Sequence, residues 1–298
     1  MNTIDFSCKH DILLEDEEGG LQPMDEPYFR AEAIQSGVWK ILSDGDYSYL
    51  LEGDDEAFVI DSGYGSGNIR EFCQTLTRKP VRRIANTHDH FDHTANNCYF
   101  DLCYMSRETQ PLAAIPYPSF EGITFPRDYQ VQIVGDGDVI PLRGSDLLVF
   151  KIPDHAVGSL AFLDKGARTL FSGDELGLPS GKPLTGSVAR WAGYMEKLLR
   201  YRDDYDAIYG GGGAVDPQIV ERYLDNARYI LAGHEGAPTG PAPQHDSFGA
   251  ARQDGRTVWK RRVPHPGDGP ADTREGQEFM RVMDHAGCRI IYDVRMVH

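Results

Sequence analysis

The chain has 298 residues, 40% apolar and 26% charged, proportions that exclude a disordered or fibrous protein and allow a sizeable core. Its formal charge of −16 repels phosphate backbones and argues against nucleic acid as a partner. No run approaches the roughly 18 apolar residues of a membrane span, and the start, "MNTIDFSCKHDILLEDEEGG", has neither the basic nor the apolar region of a secretory signal. A cytoplasmic protein is expected, with no membrane partner and an oligomeric state left open.

The charge is uneven. Residues 1–60 hold 15 acidic and 3 basic side chains, a net of −12, whereas residues 251–298 hold 9 basic and 7 acidic, a net of +2. The five cysteines include no C-x-x-C pair, which suits reduced thiols rather than a disulfide framework.

In chain order, "GVWKIL", "YSYLLEG" and "AFVIDSG" predict three consecutive antiparallel strands separated by Gly and Asp clusters. "GNIREFCQTL" sets Ile69, Phe72, Cys73 and Leu76 at helical spacing, and "VRRIANTH" and "DLCYMS" return to strand. "YQVQIV", "DLLVFKI", "SLAFLD" and "RTLFSGD" form a second strand series. "SVARWAGYMEKLLRYRDD" is an amphipathic helix, and "DPQIVERYLDNARYIL" another, opened by Asp216 as N-cap with Pro217 at the first helical position. "GAPTGPAPQHDSFG" (236–249) reads as a linker. Beyond it, "GRTVWKRRV" and "CRIIYDVRMV" predict strands flanking a helix around "TREGQEFMRVM". Two strand-rich halves, roughly 36–106 and 128–212, point to two sheets packed with helices outside.

"NTHDHFDHTANN" (86–97) concentrates three histidines and two aspartates within His88–His93. A solvated polar loop is the plain alternative. In extended chain, however, His88 and His90 point the same way and reach one ion, while Asp92 and His93 face a second as the chain turns. Imidazole and carboxylate suit zinc and other borderline metals. Partners from elsewhere are at hand: His155 lies in a turn between two apolar strands, and Asp174 follows directly after a strand.

Asp61 in "VIDSG", His88-x-His90-x-Asp92-His93, His155 in "PDHAVGSLAF" and Asp174 in "LFSGD" recur in the order of one known family. Over roughly residues 36–215 the chain resembles the metallo-β-lactamase-fold hydrolase superfamily. The resemblance implies an α+β fold, a four-layer αββα sandwich of two mainly antiparallel sheets with helices on the outer faces. It divides the chain into an acidic N-terminal extension (1–35), the metallo-β-lactamase-like domain (36–235) and a C-terminal extension packed on it (236–298). It implies that His88, His90 and His155 hold the first ion, that Asp92, His93 and a bridging Asp174 serve the second, and that Asp61 hydrogen-bonds into the loop from behind. The cofactor it implies is zinc, one ion bound tightly and a second more weakly, with iron or manganese as alternatives.

Two departures stand out. The family's late Gly-His-Gly turn is "DAIYGGGGAVDP" here, with Gly212 or a neighbour where the last histidine belongs. His234 in "LAGHEG" is the candidate substitute. Asp154 stands where the family commonly has glycine before His155, and is expected to be a solvent-facing turn residue.

The resulting expectation is a hydrolase of an ester, thioester, lactone or amide of a small intracellular metabolite, with Asp92 as catalytic base to a metal-activated water. An aspartate at position 174 resembles thioesterase- and lactonase-type members more than the antibiotic-cleaving ones. The alternatives are an iron-dependent dioxygenase similar to persulfide dioxygenases, or a non-catalytic metal-binding member with an incomplete second site. Residues 106–129 and the C-terminal segment are expected to wall the substrate pocket, with the Tyr64 hydroxyl as a candidate partner for a substrate oxygen.

Overall fold

A computed structural model describes residues 12–15, 20–23, 29–43, 46–65, 67–116, 125–142, 144–176, 183–239, 247–253, 256–263 and 277–298. The chain forms two compact units, one of Met1–Tyr104, Gln110–Gln132 and Ala242–Asp272, the other of Met105–Thr109, Ile133–Pro241 and Thr273–His298.

The first unit opens with β1 (Ile12–Glu15) and β2 (Leu21–Pro23). A seven-stranded sheet follows in sequence order: β3 (Arg30–Gln35), β4 (Val38–Ser43), β5 (Asp46–Glu52), β6 (Ala57–Ile60), β7 (Val81–Ala85), β8 (Leu102–Met105) and β9 (Gln130–Ile133). β3 to β6 form an antiparallel meander, and β6, β7 and β8 run parallel. Every residue of β6 is buried, as expected of an apolar run with a neighbour strand on each side. The parallel step from β6 to β7 needs a crossover, supplied by helix α1 (Ile69–Leu76). Asn68 caps α1 by accepting Glu71 N–H at 3.1 Å, and Ile69 and Cys73, four apart, face inward. A one-turn helix, α2 (Phe91–Thr94), follows β7.

The second unit has a six-stranded sheet in the order β10 (Val139–Ile140), β11 (Leu147–Lys151), β12 (Leu160–Asp164), β13 (Thr169–Gly173), β14 (Ala207–Gly210) and β15 (Gly213–Val215). Only β13 and β14 pair in parallel, and their crossover contains helix α3 (Val188–Leu199). Ser187 caps α3, accepting Arg190 N–H at 3.1 Å, and the helix buries Val188, Trp191, Ala192, Met195 and Leu198. Helix α4 (Ile219–Leu231) and the short β16 (Ala237–Pro238) complete this stretch.

The C-terminal segment contributes to both units. β17 (Ser247–Gln253) and β18 (Arg256–Val263) join the first, with β18 parallel to β1. β19 (Met280–His285) and β20 (Cys288–Asp293) form a hairpin on β16 in the second. Met283, Ile290 and Tyr292 enter the same core as α3 and α4. Buried Asn226 on α4 donates to the carbonyls of Met283 at 3.0 Å and Cys288 at 3.1 Å.

Two local expectations need correction. The stretch read as a helix forms strand β19 from Met280 onward, because Ala286 and Gly287, at φ +52° and +76°, make a two-residue hairpin turn that returns the chain onto it. Residues 273–276 of that expectation lie outside the described residues. Helix α4 starts at Ile219, later than expected. Asp216 instead builds the preceding turn, its Oδ1 accepting Gln218 N–H at 3.0 Å and its carbonyl accepting Ile219 N–H at 2.9 Å.

Candidate metal centre

In the first unit the histidine-rich segment leaves the end of β7 and turns at once into α2, whose N-cap is His90. The imidazoles of His88 and His90 lie 4.6 Å apart between ring centroids, and those of His88 and His93 4.1 Å apart. His93 is fully buried, and its Nε2 stands 3.6 Å from Asp92 Oδ2. So four of the residues singled out from the sequence converge within a single turn of chain.

The loop is fixed by a buried polar network. Asn86 Nδ2 donates to the His93 carbonyl at 2.8 Å, and Ser62 N–H donates to the same oxygen at 2.9 Å. Asn86 and Asn97 exchange amide hydrogen bonds at 3.0 and 2.8 Å. Such a network holds only when its members are paired, so the loop is rigid.

Asp61 ends β6 in the left-handed region, at φ +59°, and is 2% exposed. Its Oδ1 accepts Thr87 N–H at 2.7 Å, and its Oδ2 accepts the Thr87 hydroxyl at 2.7 Å and lies 2.9 Å from His93 Nδ1. Thr87 Oγ1 is in turn 3.0 Å from His88 Nδ1. With Nδ1 of His93 engaged by a carboxylate, its proton belongs on that nitrogen, and Nε2 presents a lone pair, the tautomer a metal ligand needs.

Asp46, at the start of β5, joins this group. One ligand atom each from Asp46, Asp92 and His93 lie within 4.8 Å of one another. Sequence reasoning missed Asp46, since an aspartate opening a strand after "SDG" has ordinary turn chemistry. Tyr64 is buried, its ring edge-on to Phe91 at 6.3 Å between centroids.

In the second unit His155 sits in the turn between β11 and β12, and Asp174 follows β13. His155 Nε2 and Asp174 Oδ2 are 3.5 Å apart. Glu175, also missed from the sequence, braces this pair: its Oε1 accepts the backbone N–H of His155 at 2.8 Å and of Asp154 at 3.1 Å. Burial pushes the Glu175 carboxyl up to about 8, against the lowering effect of hydrogen bonds from Ser159, His155 and Asp154.

Asp154 is not solvent-facing as expected. It is 5% exposed and accepts Gly186 N–H at 3.0 Å and Thr185 N–H at 3.2 Å, tying the His155 turn to the chain that enters α3. Burial raises its carboxyl above the usual range. These residues line a cleft together with Leu184, Trp191, Tyr223 and Ile290. Of the expected pocket wall at 106–129, residues 117–124 lie outside the described residues.

The expected substitute, His234, is exposed at the end of α4, where its ring stacks on Tyr229 at 3.7 Å and 6°. It joins no metal-capable group among the described residues. Gly212 lies in the tight connection between β14 and β15, and a Cβ there meets nothing within 4 Å. Glycine is therefore not imposed by crowding, and the absent histidine is a chemical difference rather than a steric one.

The donor set is chemically suited to a divalent ion: imidazoles, those of His88 and His93 oriented by hydrogen bonds at Nδ1, with carboxylates beside them. Among the described residues no helix is long and apolar enough to cross a membrane.

Comparison with known proteins agrees with this chemistry. The family model described as the metallo-beta-lactamase superfamily matches residues 44–236. Human acyl-coenzyme A thioesterase MBLAC2 is 31% identical over 210 residues, covering 59% of this chain and 70% of the relative. The hydroxyacylglutathione hydrolase of Photobacterium profundum is 27% identical over 162 residues, covering 53% and 58%. Among solved structures, a metallo-beta-lactamase from Pontibacter korlensis superposes with a TM-score of 0.53 at 18% identity, over 67% of this chain and 99% of that one. FIM-1 from Pseudomonas aeruginosa gives 0.53 at 17%, over 70% and 98%. At such identities these two likenesses speak for the fold alone. The chain belongs to the metallo-β-lactamase superfamily and is a metal-dependent hydrolase of that fold.

Proposed function

We propose that the protein hydrolyses an acyl thioester of a small metabolite, using zinc held by His88, His90 and His155. The observation that carries this reading is the convergence of His88, His90, Asp92 and His93 at the end of β7, with His93 oriented by Asp61 at 2.9 Å. Two relatives, named for hydrolysing acyl-coenzyme A and hydroxyacylglutathione, support a thioester over an oxygen ester or amide. The aspartate at position 174 supports the same branch.

Bound by these histidines, a zinc ion would supply Lewis acidity toward the substrate carbonyl and would lower the pKa of water from 15.7 to about 7. Asp92, beside His93 Nε2, is the base that takes the proton of the attacking water at its carboxylate. Asp61 and Thr87 fix the imidazoles so that no reorientation is needed when substrate binds. Glu175 holds the backbone of the His155 turn in place. The leaving thiol is a good leaving group, and a dedicated general acid is not required.

The test is release of free thiol, followed with a chromogenic thiol reagent, from a panel of acyl-coenzyme A and S-acylglutathione substrates. The natural protein, loaded with zinc, is expected to release thiol, and His88→Ala is expected to lose both its tightly held ion and the activity. Turnover of oxygen esters with no thioester cleaved would overturn the thioester assignment. Undiminished metal in His88→Ala, read by elemental analysis, would overturn the ligand assignment.

A further inference from the structure

The family pattern gives its second ion a histidine that this chain lacks, glycine standing at position 212. The first unit offers another donor. Asp46, Asp92 and His93 bring two carboxylate oxygens and an imidazole nitrogen within 4.8 Å of one another.

The position of Asp46 is set by packed backbone rather than by a long side chain. It opens β5, paired with Ser43 at the end of β4. That end of β4 is pressed against the loop that follows β6: a Cβ on Gly63, at φ +72°, would come within 2.5 Å of Ser43 Oγ. Ser62, the neighbouring residue, grips the His93 carbonyl through its own N–H at 2.9 Å. The start of β5, the loop and His93 are thus joined by two successive close contacts. Aspartate is the shortest carboxylate side chain, so little freedom remains.

The electrostatics favour a cation. Asp61 takes up His93 Nδ1 at 2.9 Å, which turns the Nε2 lone pair toward Asp92 Oδ2 at 3.6 Å. Two carboxylate oxygens and an imidazole nitrogen gathered within 4.8 Å form a mixed nitrogen and oxygen donor set that suits a divalent ion.

We infer that Asp46 is a ligand of the second ion, a carboxylate from β5 beside Asp92 and His93 in a chain whose late turn carries glycine at position 212. The inference rests on the metal-dependent hydrolase reading and adds a ligand to its second site. A carboxylate ligand makes that site harder and more anionic, so manganese is expected to compete there better than at the histidine-rich first site.

The test is titration of zinc into the metal-free full-length protein by calorimetry, with stoichiometry checked by elemental analysis. The natural protein is expected to bind one ion tightly and a second more weakly. Asp46→Asn preserves size and is expected to leave the tight event unchanged. The weaker event should lose about tenfold or more in affinity, at least the loss seen when mere supporting groups around a metal are removed. Asp46→Glu, which keeps the charge but displaces the carboxylate by one methylene, is the second variant and is expected to weaken the same event. Unchanged affinity of the weaker event in either folded variant overturns the inference. One ion per natural chain at every zinc concentration also overturns it, while leaving the tight site and thiol release intact. Absence of the tight event would instead strike at the hydrolase reading itself.

Discussion

Asp61→Asn isolates the bond that orients the metal centre. Asparagine tolerates the left-handed backbone at φ +59°, so the substitution changes chemistry without imposing strain. One amide oxygen can replace Oδ1 and still accept Thr87 N–H, a bond now 2.7 Å long. The amide nitrogen then occupies the place of Oδ2 and meets His93 Nδ1, 2.9 Å away, as a donor rather than an acceptor. His93 must shift its proton to Nε2, the atom that faces Asp92, and in that tautomer it no longer offers a lone pair there. Loss of such a supporting group costs about 10–100-fold in metal affinity, or about 1.4–2.8 kcal/mol at 1.4 kcal/mol per decade. Stability falls as well, because three bonds to a carboxylate become bonds to a neutral amide. At a difference of about 1 kcal/mol per bond the total is about 2–3 kcal/mol. Urea unfolding of the metal-free protein measures the second number, and competition with a chromogenic chelator measures the first. A variant that unfolds at the same urea concentration and holds metal as tightly as the natural protein would refute the tautomer argument.

Two further outcomes follow from the framework around the site. Asn226→Ala strands the buried carbonyls of Met283 and Cys288, now bonded at 3.0 and 3.1 Å, and should cost about 2–3 kcal/mol in a denaturant titration. A shift within error would mean the β19–β20 hairpin does not depend on that side chain. Burial raises the thiols of Cys73 and Cys103 well above their ordinary value and pushes Cys98 up to about 11. A raised pKa means less thiolate at a given pH, so at pH 8 iodoacetamide should leave these three unmodified until denaturant is added, as read by mass spectrometry.

The regular parts of this fold are written in local patterns. "AFVI" and the "LAFL" of β12 are apolar throughout, as strands buried along their whole length, and "VARWAGYMEKLL" shows its buried face at helical spacing behind a serine cap. The metal segment is legible for a different reason: chemistry packed into six consecutive residues survives without any knowledge of the fold. What escaped depends on residues distant in sequence. Asp46 resembles any turn aspartate until β4 and β5 bring it to His93, 47 positions later. Asp154 looked solvent-facing because its backbone partners, Thr185 and Gly186, lie beyond two intervening strands. The β19 hairpin was masked by helix-forming residues, whereas its Ala286–Gly287 turn carried the stronger signal. These misses share one cause: a carboxylate or a turn means little until its partner is known. In a metal enzyme that cause has a consequence, since ligand sets are assembled from separate strands. A missing histidine in a motif therefore does not establish a missing ligand. A ligand can come instead from any strand end that a sheet delivers to the ion, and the start of β5 lies beside Asp92 and His93.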